Sequence, residues 1–236
     1  PWVLLPSRTQ AGHEVAKGRQ LLLGQTGGAD ELREKRCQRA LAQLLGGVPE
    51  PVGDQVVAFY KQFRQFGITA DILPICTPIT TEQEIAAMGA ENALGHYTSF
   101  NYFQSVKSPE NDSFVERYKA KYGKDEVTNA VMEAAYFQTY LLAQAIESVG
   151  TTDTDALIFE GLPGQEFVAP QGKVKIDEKN HHTWLWARIG QANERGQFDI
   201  VWKSEDWIRP DPWVDLLYPN KDCDFTDAEV LQRLKS

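Results

Sequence analysis

Residues 131–149 limit the fold more than any other stretch. Apolar side chains recur at Ala134, Phe137, Leu141, Leu142, Ala145, Ile146 and Val149. That spacing returns to one face every three to four residues, as an α-helix does. Gly150 follows at once and ends it, because glycine enters the left-handed conformation without a Cβ penalty. Downstream the period changes to two. Val174 and Ile176 alternate with Lys173, Lys175 and Asp177, and residues 183–189 are rich in aromatic and β-branched side chains. Both segments read as strands. A helix that must bury a stripe beside strands that must bury a face predicts packed α/β layers.

The upstream sequence repeats the alternation. A helix is expected from Asp54, as its cap, through Phe66, with Val56, Val57, Tyr60, Phe63 and Phe66 on its apolar face and Gly67 as its stop. Residues 72–75 read as a short apolar strand. Thr80 or Thr81 caps a helix that opens Glu82-Gln83-Glu84, acids that favour the positive end of the helix dipole. Residues 95–103 alternate like a strand. Ser108-Pro109-Glu110 starts a helix that reaches about Tyr122 and stops at Gly123. A short helix follows near residues 155–161. Residues 193–196 make the turn of a hairpin between 183–189 and 198–202. Arg209-Pro210-Asp211-Pro212-Trp213 is too rich in proline for a central strand. The expected fold class is mixed α/β, with the terminal hairpin making the sheet mixed rather than purely parallel.

Residues 1–51 differ in character. They carry seven Lys/Arg against five Asp/Glu, a net of +2 that leaves −11 for the remainder of a chain at −9. A strand at 2–5 and a helix at 30–45 are the readable elements, and Gly24, Gly27 and Gly28 make a loop. "GQTGG" has the glycines of a phosphate loop without its Gly-Lys-Ser/Thr ending. A boundary is therefore expected between an unmatched segment, 1–51, and a domain, 52–236.

Composition narrows the function. The negative charge argues against nucleic acid or an anionic membrane as the main partner. No window of eighteen apolar residues is present, so no direct insertion into a membrane is expected. Cys37, Cys76 and Cys223 are widely spaced, without a CxxC pair. The opening Pro1-Trp2-Val3 lacks the basic and long apolar regions of a signal peptide and suggests a processed or partial chain. His181 and His182 are adjacent, and neighbours on a strand point to opposite faces, so no metal site is expected there. No GxSxG, no HExxH and no Cys–His pair with a third orienting group is found. No enzyme activity and no cofactor are expected.

Five stretches, in order, carry a family likeness: "VGDQVVAFYKQF", "TTEQEIAAMGAENALGHYTSFNYFQSVKSPENDSFVERYKAKYG", "EAAYFQTYLLAQAIESVG", "FVAPQGKVKIDEKNHHTWLWARIG" and "GQFDIVWKSEDWIRPDPW". Residues 52–213 resemble the C-terminal half of type I periplasmic binding proteins, in the branch that serves urea and short-chain amides. "APQGKVKID", "GQFDIVW" and "RPDPW" are the motifs most particular to that branch. The resemblance implies two α/β lobes joined by crossover strands, with a small neutral amide or urea held in the cleft. It implies a periplasmic location and an ABC transporter membrane permease as partner. An amide-sensing cytoplasmic regulator of the same fold, or a remnant that binds nothing, are the alternatives. The family's chain is longer, and most of its N-terminal lobe has no counterpart here. Where the family has an apolar strand before "VGD", this sequence has "LLGGVPEP", either remodelled or out of register with the ancestral frame.

A neutral amide needs donors for its carbonyl and acceptors for its N–H groups, inside a desolvated pocket. By match to the family's cleft-facing loops, the ligand-binding candidates are Gly53, Asp54, Gln55, Thr80, Thr81 and Tyr102. Asp54, Thr80 and Thr81 serve equally well as helix caps. Tyr102 is an aromatic wall or a packed core residue. Glu133, opening a helix, reads as structural.

Overall fold

The computed structural model describes residues 53–213, 217–219, 221, 223–227 and 232. The strand expected at 2–5, the loop at 24–28 and the helix at 30–45 lie outside them. The chain divides into two units, Pro1–Val48 and Pro49–Ser236, and the described residues belong to the second.

Helix α1 (Asp54–Gln65) starts after Gly53, whose φ of 61° is left-handed, and no side chain caps it. Asp54 is thus not the cap. It is the first residue inside the helix, exposed, with its charge at the positive end of the dipole. Val56 and Tyr60 are buried, but Phe66 is 82% exposed. Phe66 lies six residues beyond Tyr60, which rotates it about 120° off the buried stripe. Strand β1 (Cys76–Thr77) falls later than the expected 72–75. Pro74 has no N–H to give a ladder, and Ile72 is 55% exposed.

Helix α2 (Glu82–Met88) opens with a complete capping box. The Thr81 side chain accepts from the backbone of the first turn, and Glu84 accepts from Thr81 N at 2.8 Å. Gly89, at φ 92°, separates it from the single turn α3 (Ala90–Ala93). Strand β2 (Tyr97–Phe100) then pairs parallel to β1, Cys76 opposite Tyr97. Helix α4 (Pro109–Tyr122) is capped by Ser108, with proline at its first position and Gly123 at its end. Helix α5 (Ala130–Val149) is capped by Asn129 and closed by Gly150 at φ 69°. A short helix α6 (Thr154–Ala156) runs into a π-type turn, Leu157–Gly161.

Strands β3 (Glu166–Ala169), β4 (Gly172–Ile176) and β5 (Thr183–Trp184) form an antiparallel sheet. Strands β6 (Arg188–Ala192) and β7 (Phe198–Lys203) join the first sheet, giving the order β1-β2-β6-β7. Residues 183–189 are therefore not one strand, and the hairpin begins at Arg188 rather than Thr183. The chain leaves one sheet at Trp184 and enters the other at Arg188. Trp186 marks the crossing. Its indole N–H donates to Lys173 O at 3.1 Å, and the ring covers Gly172, where a Cβ would meet it at 2.7 Å.

Packing follows the two sheets. Val56, Tyr60, Ile85, Met88, Phe103 and Phe198 form a core between α1, α2 and the four-stranded sheet. Phe137 and Leu141 of α5 pack on Val174 and Ile176 of the three-stranded sheet. Phe137 and Leu141, each at 2% exposure, contribute about 1.5–3 kcal/mol apiece by leaving water.

Candidate functional site

The parallel pair directs its carboxyl ends to one edge. Strand β1 leads through Thr80 and Thr81 into α2, and β2 leads into Asn101 and Tyr102. In open α/β sheets this is the edge where ligands bind. The first turn of α5 lies against it. Asn129, the α5 cap, donates to Gln83 Oε1 at 3.0 Å and to Thr81 Oγ1 at 3.4 Å. Thr128 N donates to Gln104 Oε1 at 2.8 Å. The Tyr102 hydroxyl donates to Asn111 Oδ1 at 2.8 Å and shares a 2.8 Å hydrogen bond with Thr128 Oγ1. Amides and hydroxyls from four segments thus interlock around one helix start.

Two carboxyls lie inside this polar seam. Glu82 is 1% exposed and accepts the N–H of Gln104 at 2.7 Å. Burial pushes it up to about 7, against the lowering effect of that hydrogen bond. Glu133 is 0% exposed and accepts the Gln171 side-chain amide at 2.9 Å and its N–H at 3.3 Å. Burial carries it to about 7 as well, although Gln171 and the nearby Arg188 pull it down. The Arg188 guanidinium is itself buried, and it donates to Gln171 O at 2.6 Å and to Asn101 O.

The predicted site residues are only partly gathered. Thr80, Thr81 and Tyr102 lie at the carboxyl edge, all nearly or fully buried. Thr80 shares a hydrogen bond with the Tyr60 hydroxyl, and Thr81 carries the capping box. The crevice beside Thr80, walled by Tyr60, Ile85, Ala93, His96 and Phe198, has no space for a water molecule. Gly53, Asp54 and Gln55 are exposed at the start of α1, and that helix reaches the edge through Tyr60. Sequence reasoning missed Glu82, Gln104, Gln171 and Arg188, and read Glu133 only as a helix opener. "TTEQE" and "NAVME" carried the signal: an acid just inside a capped helix and on the helix's apolar side.

The adjacent histidines sit in the turn before β5. His181 has φ 59° and its ring packs on Phe225 at 5.1 Å, while His182 is exposed. Among the described residues, no group of three potential ligands is close enough to hold a metal ion.

The model of the periplasmic binding protein domain matches residues 48–219. The chain belongs to that family. As a periplasmic binding protein domain, it is 42% identical over 125 residues to the limonene hydroxylase of Geobacillus stearothermophilus, 53% of this chain and 23% of that one. That name describes a protein of which the shared stretch is under a quarter. The domain is 32% identical over 134 residues to Leu/Ile/Val-binding protein homolog 6 of Brucella melitensis biotype 1, 56% of this chain and 34% of the relative. Its fold is shared with the solute-binding protein of an ABC transporter from Rhodopseudomonas palustris BisB5, solved with 3,4-dihydroxybenzoic acid. The TM-score is 0.60 at 24% identity, over 69% of this chain and 45% of that one. The chain thus spans less than half the length of each of these three proteins. No helix among the described residues is long and apolar enough to cross a membrane.

Proposed function

We propose that this chain forms one wall of the ligand cleft of a solute-binding protein. That protein delivers urea or a short-chain amide to the membrane permease of an ABC importer, outside the cytoplasmic membrane. The observation that carries the reading is the chemistry of the carboxyl edge. Around the start of α5 the neutral amides of Gln83, Asn101 and Gln104 are exposed or partly exposed, beside the Glu84 carboxylate that completes the capping box. An amide both donates and accepts, so these side chains match a neutral solute that does the same. An aromatic carboxylate, as bound by the Rhodopseudomonas protein, calls for a cation. The Arg188 guanidinium is buried and already bonded to two backbone carbonyls. A free amino acid calls for fixed charges of both signs, and the Glu82 and Glu133 carboxyls at this edge are buried. Thr80, Thr81 and Tyr102 support the edge from beneath, and Gly53, Asp54 and Gln55 would approach the solute from the start of α1.

Calorimetric titration tests the reading. Urea, formamide, acetamide, leucine and 4-hydroxybenzoate are titrated into this chain and into a version extended upstream to include the preceding lobe. Heat with acetamide or urea, stronger in the extended version, is the expected result. Saturable binding of leucine or 4-hydroxybenzoate alone would overturn the amide reading. Binding of nothing by either version would overturn solute binding itself and favour a remnant.

A further inference from the structure

Three side-chain amides stand at the carboxyl edge, and their neighbours decide which end of each faces outward. The fixed point is a backbone N–H. Asn129 caps α5 by accepting Met132 N with its Oδ1 at 3.0 Å, so its Nδ2 must point the other way. That Nδ2 donates to Gln83 Oε1 at 3.0 Å. Gln83 is exposed, and the end it turns outward is therefore Nε2, which meets no acceptor among the described residues. The second amide is held by the next turn of the same helix. Glu133 stands four residues after Asn129, on the same side of α5. It accepts Gln171 N at 3.3 Å and Gln171 Nε2 at 2.9 Å, and Gln171 is oriented in turn by Trp186 N, which donates to its Oε1 at 3.4 Å. Glu133 Oε2 also accepts Asn101 Nδ2, at 3.5 Å, which leaves Asn101 Oδ1 as the outward end. Gln104 is closed at both ends. Its Oε1 accepts Thr128 N at 2.8 Å, and its Nε2 donates to Gln197 Oε1 at 3.0 Å.

We propose that Gln83 Nε2, as donor, and Asn101 Oδ1, as acceptor, select an uncharged carbonyl compound that bears at least one N–H. The carbonyl takes the hydrogen bond of Gln83, and the N–H gives one to Asn101. This rests on the reading of the edge as part of a solute cleft, and it states which amides that cleft accepts. The spacing agrees. The groups that hold the two amides, Asn129 and Glu133, are about one helical turn, or ~5.4 Å, apart. A small amide between two hydrogen bonds of about 2.9 Å reaches across such a gap. The polarity sets the limits of the class. A tertiary amide has a carbonyl but no N–H, so it leaves Asn101 Oδ1 unpaired where the solute displaces water. A carboxylate offers acceptors only, and it meets both Asn101 Oδ1 and the Glu84 carboxylate, which receives Thr81 N at 2.8 Å.

The orientation is read without a solute, from exchange of side-chain amide protons in the full 236-residue chain. The Asn129 NH2 protons should be protected, and the Gln83 NH2 protons should exchange as fast as those of free glutamine. Protected Gln83 NH2 protons would overturn the proposal and leave the amide reading standing. Titration then tests the use of the two groups. Acetamide, N,N-dimethylacetamide and acetate are titrated into this chain and into the version extended upstream. The pH is 8.5, above the value of about 7 to which burial pushes Glu133, so that Glu133 takes donors only. Gln83→Glu keeps an oxygen for Asn129 and turns a second oxygen outward in place of the donor. It should weaken acetamide about tenfold while the Asn129 NH2 protons stay protected. Acetamide should bind more tightly than N,N-dimethylacetamide, and Asn101→Ala should narrow that preference, because only acetamide has an N–H to lose. Unchanged acetamide affinity in Gln83→Glu would overturn the proposal. So would an unchanged preference in Asn101→Ala, or acetate binding as tightly as acetamide. Gln83 is exposed, so its substitution decides the matter even if Asn101→Ala fails to fold. Binding of no amide by either version would overturn the cleft reading, and this inference with it.

Discussion

Asp177 and Glu82 are both buried carboxyls, and they stand at opposite ends of the acidity range. Asp177 lies in the turn after β4, in the three-stranded half of the molecule. Burial alone would raise it, but Arg209 Nε at 3.0 Å, the N–H groups of Asn180 and Lys179 and the Trp184 indole bring it down to about 2. Glu82 lies at the carboxyl edge of the four-stranded half, receives the Gln104 N–H, and is pushed up to about 7. Deeper enclosure raises Glu82, while four donors, the Arg209 guanidinium among them, hold Asp177 down. One region spends its donors on a fixed charge that locks a turn. The other aims few donors at its buried carboxyls, whose acidity burial weakens, and turns amides toward the edge.

The largest effect is expected at the saturated site. Asp177→Ala removes the acceptor of two backbone N–H groups, an indole and a guanidinium. A loss on the order of 3 kcal/mol is expected by urea denaturation at pH 7, with the half-exposed Arg209 contributing little of it. A loss under about 1 kcal/mol would break the comparison. On the acid side, the stabilisation from Asp177 should be whole above pH 3.8 and fade as pH falls through 2.

The second effect has the opposite sign. Glu82→Gln keeps the oxygen that accepts from Gln104 and removes the titration. The unsubstituted chain should lose stability as pH rises from 4.5 to about 7, by on the order of 3 kcal/mol at most for this group. The variant should lose less, so it should be the more stable protein at pH 8 than at pH 4.5 relative to its parent. Identical pH profiles in urea denaturation would contradict the assignment.

How much of this was legible depended on whether the cause was local. The helix at 130–149 and its glycine stop were readable because one stripe and one left-handed residue define them. The Ser108-Pro109 start and the Thr81 capping box were readable for the same reason. The split of residues 183–189 was not, because it depends on Trp186 reaching across to Gly172. The buried acids were not either: a glutamate in a first turn looks like a dipole partner until the neighbouring strand covers it. Thr81 proved to be a cap, and Tyr102 a packed residue with its hydroxyl bonded, and both stand at the carboxyl edge.

Smaller effects sharpen the contrast. Thr81→Ala removes the capping box and should cost about 1 kcal/mol in thermal denaturation. Asp54→Ala, at an exposed first-turn position with no cap bond, should cost under about 0.5 kcal/mol. If Asp54 takes part in the proposed cleft, its loss should show in acetamide titration and not in melting.

Carbon-13 NMR of the side-chain carboxyls, titrated from pH 2 to pH 9, places the two regions in one spectrum. Glu82 and Glu133 should show midpoints near 7 and Asp177 a midpoint near 2. Midpoints for all three close together near 4 would contradict the account, because the carboxyl edge and the Asp177 turn would then be electrostatically alike.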